Sequence, residues 1–303
     1  MELKIQNFSD ELKQLYTHEY FKACAYLTFK KSDDPHEIVR QSRKSILKMR
    51  ATLRLIRDEV NFYNKENKFF RDESRKLSRI RDATSVIETI KLLLKKYSKE
   101  LKGEAFTEII SFLEEERNLE TADFLKRNVI EEVSSNLAGH EKRLKSLNIE
   151  INSFKQMKPS ITRVYKRGVK AFKKVKETKH SDDFHQWRKR AKYLRIQLKI
   201  MIKIWPGVLK VWAKELFELT EILGFERDLM MLQNKLTSNR KRTKELQSTE
   251  LLSTLIIGQR EKLRIRAISA GEKLYALSSK DFVRLIEASW KAHQKQLNRR
   301  FIK

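Results

Sequence analysis

Apolar residues recur along this chain at three- and four-residue steps, with charged residues between them. That period predicts amphipathic helices, and no run alternates with period two between turn residues, so no sheet is expected. The expected helices span about 10–30, 36–66, 70–97, 104–118, 121–156, 160–178, 182–204, 207–236, 240–278 (read as two) and 281–302. Asp33-Asp34-Pro35 reads as a helix start, a capping carboxylate followed by proline in the first turn. Ser181-Asp182-Asp183 reads the same way before Phe184. Lys158-Pro159-Ser160 is expected to break the chain near its middle, and Trp205-Pro206-Gly207 to end another helix. Seven glycines and three prolines are too few for a loop-rich sandwich, a collagen-like repeat or a Rossmann-type enzyme. The fold class is all-α.

A long internal repeat changes the picture. Arg40-Gln41-Ser42-Arg43-Lys44 aligns with His185-Gln186-Trp187-Arg188-Lys189, so Arg50 falls on Arg195 and Arg54 on Lys199. With one further residue of shift, Arg81-Asp82 falls on Arg227-Asp228, each pair following a leucine four residues before the arginine. Two similar helical halves are expected, joined near 155–160.

Charge gives the repeat a meaning. The chain carries 67 Lys and Arg against 40 Asp and Glu, a formal charge of +27. Such a balance strains a compact fold and attracts polyanions. At ~100° per residue, His185, Arg188, Lys192, Arg195 and Lys199 share a helical arc of ~80°. Arg40, Arg43, Arg50 and Arg54 take the same angles in the first half, with Leu47 in place of the lysine. An apolar stripe runs beside each row: Trp187, Ala191, Leu194, Leu198, Met201 and Trp205 in one, Ile46, Met49, Leu53, Ile56 and Val60 in the other. Both tryptophans are expected in the core rather than as stacking platforms.

Like charges one turn apart repel, by up to ~3 kcal/mol per pair at an effective dielectric of ~20. A solvated helix face accounts for one such row. The same row twice in the same frame points to a bound anion. Arginine forks hold phosphate oxygens in pairs, and lysines add point charges. Cations seven residues apart lie ~10 Å apart along a helix, a spacing suited to a linear polyanion. Arg163, Lys166, Arg167 and Lys170 form a second basic cluster one helix earlier, expected to lie beside 182–204. His185 has no second ligand at metal-binding spacing. Among cations its imidazole is expected to stay neutral until an anion binds, as a phosphate hydrogen-bond donor or as a structural histidine. Asp82 and Asp228 have two open readings, orienting groove arginines or forming ordinary helix salt bridges.

His185-x-x-Arg188-Lys189-x-x-Lys192-Tyr193-Leu194-Arg195, followed by Leu223-Gly224 and Arg227-Asp228, resembles the CHAD family, the conserved histidine α-helical domain. Tyr165-Lys166-Arg167-Gly168-x-Lys170 is similar to the stretch that opens that family's second half. The resemblance spans roughly 10–300. It implies two tandem four-helix bundles related by a pseudo-twofold, one over 1–157 and one over 158–303, with cationic faces of both lining a central channel that binds inorganic polyphosphate. Carried over, the second-half binders are His185, Arg188, Lys189, Lys192, Arg195 and Arg227. The first-half binders are Arg43, Lys44, Lys48 and Arg50, and Arg81 occupies the position matching Arg227. One departure stands out: Arg40 occupies the position of His185, and His36 lies one turn earlier. No Glu-x-Glu-x-Lys strand of an accompanying triphosphate-tunnel domain is found, so a stand-alone domain is expected.

The remaining signals narrow the class. Cys24 is the one cysteine, which fits a reducing compartment. No stretch is long and apolar enough to cross a membrane, and the expected location is the cytoplasm, with polyphosphate granules one possible destination. Phosphoryl transfer needs metal-holding carboxylates or an activated nucleophile. The basic rows hold neither, so no catalytic residue, metal or cofactor is expected. The leading reading is a non-enzymatic binder of inorganic polyphosphate or another phosphate-rich polyanion. The alternatives are a nucleic-acid binder and a polyphosphate-processing enzyme.

Overall fold

The computed structural model describes residues 3–28, 33–98, 104–145, 148–151, 153–238 and 246–300. Among them are eleven α-helices, one short 3-10 turn and no strand. The helices are α1 (Leu3–Leu27), α2 (Pro35–Leu55), α3 (Tyr63–Lys76), α4 (Ser78–Lys96), α5 (Glu104–Lys126) and α6 (Val129–Lys145). They continue as α7 (Phe154–Thr178), α8 (Ser181–Ile200), α9 (Pro206–Ser238), α10 (Leu246–Leu274) and α11 (Ser279–Arg300).

Local chemistry sets the starts. Asp34 caps α2, its carboxylate accepting from the His36 amide at 2.9 Å with Pro35 in the first turn. Pro206 opens α9 after a 3-10 turn at Ile202–Ile204. The start of α8 differs from expectation. His180 occupies the cap position without a side-chain bond, and Asp183 instead accepts from Thr178 at 2.7 Å and pairs with Lys174 at 2.8 Å.

Several expected boundaries move; the break expected near 118–121 lies inside α5, and the stretch 246–274, expected as parts of two helices, is the single α10. Pro159 does not break the chain; it lies inside α7. The Ser153 amide donates to Gln156 Oε1 at 3.0 Å, which starts the helix before the proline. Phe154, Met157, Ile161, Tyr165, Phe172 and Val175 then bury one continuous face and hold the helix through it. The join expected at 157–158 therefore falls within the first turns of α7. The expected helix 36–66 divides after Leu55 into α2 and α3. Ile56 and Val60 stay buried beyond α2, so the hydrophobic period runs on through a turn that is not helical. Asn128 takes a left-handed φ of 50° between α5 and α6, a conformation asparagine tolerates better than most residues.

Two cores result. The larger unites buried faces of α1, α2, α3, α6, α7, α8 and α11 with parts of α9 and α10. The smaller packs Ile87, Ile90 and Leu93 of α4 and Ile109 of α5 against Leu229 of α9 and Ile256 of α10. It draws on helices from both sides of the expected join. The predicted stripes are buried as read, with one correction: Trp205 is 43% exposed. Its helix has already ended at Ile200, so the stripe's angle no longer applies to it. No helix among the described residues is long and apolar enough to cross a membrane.

Candidate polyanion-binding site

The row on α8 stands on packing from α9. Arg188 donates through Nε to the Thr220 carbonyl at 3.1 Å. Its fork lies over Gly224, where an added Cβ would come within 2.8 Å of Nη2. Leu223-Gly224, read in the sequence only as a motif, is thus the notch that admits this guanidinium. Arg195 lies over the Phe217 ring at 5.0 Å. His185 Nδ1 and Arg195 Nε are shielded from solvent and have no hydrogen-bond partner. Such groups ordinarily find one.

On α2 four cations are braced by neighbouring elements. Arg43 donates to the Leu77 carbonyl at 3.2 Å. Lys48 pairs with Glu19 of α1, which is almost fully buried. Arg50 and Arg54 both reach Asn67 of α3, at 3.2 and 3.4 Å. Leu47, the position without a cation, packs with Ala51 against Tyr193, Ile196 and Ile200 of α8. The missing charge marks the place where the two helices cross. Arg54 completes the crossing by lying over the Tyr193 ring at 4.4 Å.

The two rows converge on one another. Lys192 feels Arg43 across the crossing, and Lys199 feels Lys44 and Lys48. Burial, then Arg188, Arg195 and Arg43, push the Lys192 ammonium down to about 7. Glu221 of α9 acts the other way on Lys192, as it does on Arg188 and Arg195, without offsetting the rest. Burial, then Lys189, Arg227, Arg188 and Lys192, push His185 down to about 4. Arg227 of α9 joins Asp82 of α4 at 3.1 Å and lies beside Arg43. Asp228 is raised by burial despite Arg188, Arg227 and Arg81 around it.

Several expected residues are engaged by a carboxylate or exposed to solvent. Arg40 is bound by Glu37 at 2.6 Å, Arg81 by Glu88 at 2.9 Å, and Arg163 by both oxygens of Asp58 at 3.0 and 3.2 Å. Lys166 and Lys170 are exposed on α7, as is Lys189 on α8. Arg167 points its charge at Arg190, Arg54 and Arg57. Arg190 and Arg57 were missed because they lie outside the shared arc; only the packing of α7 on the α2–α8 crossing gathers them. No group of three or more His, Cys, Asp or Glu side chains fit for a metal ion occurs among the described residues.

The CHAD domain sequence model matches residues 16–237. The chain belongs to the CHAD domain family. Its fold agrees with the crystal structure of the CHAD domain from the plant Ricinus communis, at a TM-score of 0.59 and 14% identity, over 90% of this chain and 93% of that one. No curated protein matches the chain. All the converging cations lie within the CHAD match, whereas most of α10 and α11 lies beyond it. His36 accepts or donates at Thr84 of α4, 2.7 Å away, and lies beside Arg81, as His185 lies beside Arg227. Arg40 faces Glu37 instead.

Proposed function

We propose that this CHAD protein binds inorganic polyphosphate without chemical turnover, in the basic cleft where α2 and α8 cross. The observation that carries this reading is Lys192, a sheltered ammonium that burial, Arg188, Arg195 and Arg43 disfavour more than Glu221 favours it. A charged lysine in such company is costly to the free protein, and a phosphate chain relieves the cost. Arg188 and Arg195 supply forks, His185 a ring nitrogen still without a partner. Lys44, Lys48 and Lys199 continue the positive path. Family membership supports the same ligand, and the repeated rows fit a duplicated ancestor whose halves meet at the cleft. Single-stranded nucleic acid suits the site less well, because Trp187 is buried and Tyr193 is covered by Arg54, leaving no base-stacking surface on this row.

The test replaces Arg188, Lys192 and Arg195 together with glutamine. Affinity for long-chain polyphosphate falls at least about a hundredfold, at roughly 1–3 kcal/mol per charge-assisted contact, while helical circular dichroism is unchanged. Undiminished binding overturns the site. Release of orthophosphate by the unaltered protein with magnesium or manganese present overturns the non-enzymatic reading.

A further inference from the structure

A cavity of about 490 Å³ opens beside α1 and the end of α8, at the far end of the basic row. That volume lies within the roughly 300–1,000 Å³ of small-molecule sites. Leu12, Leu15, Ile200 and Ile202 form aliphatic walls, and Gln14 and His18 line the same space. Lys199 lines it too. The ammonium of that lysine also belongs to the cationic path, in the field of Arg195, Lys48 and Lys44. The one carboxylate in the lining, Glu11, is held by Lys203 at 2.7 Å. The cavity therefore combines an apolar wall, two polar edge groups and a cationic exit that leads into the phosphate-binding cleft.

We propose that this cavity binds the nucleoside part of a nucleoside oligophosphate, with its phosphates passing Lys199 toward Arg195 and Lys48. An acyl chain fits the aliphatic walls but gives the exposed Gln14 and His18 at the rim no hydrogen-bond partner. A planar heterocycle covers the walls and presents donors and acceptors at its edge to those two side chains. A bare phosphate chain uses the exit and leaves the walls wet. The path taken by the phosphates rests on the polyphosphate reading; the nucleoside cavity does not.

The test titrates the full chain with adenosine triphosphate, tripolyphosphate, adenosine, dodecanoate and long-chain polyphosphate as separate probes. Adenosine triphosphate is expected to bind at least about tenfold more tightly than tripolyphosphate, a difference of about 1.4 kcal/mol. Leu15→Trp, which fills the cavity, and His18→Ala, at its exposed edge, should each remove most of that advantage. Both should leave long-chain polyphosphate affinity unchanged, with melting curves confirming that each variant folds. Equal affinity for adenosine triphosphate and tripolyphosphate overturns the proposal, as does an advantage that survives both variants. Dodecanoate binding more tightly than adenosine at the Leu15 site assigns the cavity to an acyl chain and likewise overturns it. Nucleotide binding without polyphosphate binding keeps the cavity and removes the function proposed above.

Discussion

Arg227 on α9 donates to Asp82 on α4 at 3.1 Å, although in the sequence each of the two has its own neighbour of opposite charge. The pair joins two distant parts of the chain beside Arg43. It is therefore neither a local helix salt bridge nor a simple prop for Arg81, whose guanidinium is on Glu88. Asp82 offsets one charge in a crowded cluster. Asp82→Asn should lower stability by about 1 kcal/mol, the scale of a partly exposed ion pair. It should leave polyphosphate affinity equal or raise it a few-fold, because one opposing charge is gone. Thermal melting and a binding titration check both. A tenfold loss of affinity would show that Asp82 orients Arg227 for the ligand.

Lys192 makes binding depend on pH. Its ammonium titrates at about 7 in the folded chain, against 10.5 ordinarily. Between those values the unfolded chain holds a proton that the folded chain does not. Stability from this group is thus present at high pH and is lost as pH falls toward 7. Bound polyphosphate restores the charge, so binding in this window takes up a proton and weakens as pH rises. Calorimetry at about pH 8.5, in buffers of different ionisation heat, should find about one proton more taken up by the unaltered protein than by Lys192→Met. Equal uptake by the two would remove Lys192 from the cleft.

Gly224 separates stability from binding. Alanine is favoured over glycine in a helix by about 1 kcal/mol, but its Cβ would lie 2.8 Å from Arg188 Nη2. The guanidinium is the far end of a flexible side chain and can move aside. Gly224→Ala should therefore keep or slightly raise the melting temperature while weakening polyphosphate binding several-fold. A variant that melts lower and binds normally would mean that the notch serves packing alone.

The helix pattern and both basic rows were legible in the sequence because a 3.6-residue period and a repeated charge frame are local properties. Asp34-Pro35 was legible for the same reason, since caps act within one turn; Pro206, read as part of a helix end, opens α9. Other features depend on the meeting of distant elements. The Arg227–Asp82 pair needs α4 beside α9, and the cavity needs α1 beside the end of α8. Pro159 misled because its penalty was weighed without the buried face that carries α7 past it. Trp205 misled because the stripe was extended beyond the helix that sets its angle. Arg260 and Arg264 escaped notice altogether: both converge on the buried Glu226, which in the sequence is only the residue before Arg227.

The central claim is that cations from α2 and α8 form one cleft for a single phosphate strand. Its most direct measurement is a competition titration at two salt concentrations, with labelled long-chain polyphosphate displaced by unlabelled polyphosphate, tripolyphosphate, single-stranded RNA or duplex DNA. Affinity is expected to fall steeply with salt. Long-chain polyphosphate should compete at least about tenfold better, per phosphate, than either nucleic acid, and tripolyphosphate should compete weakly because it spans fewer cations. Duplex DNA competing equally per phosphate would contradict the account.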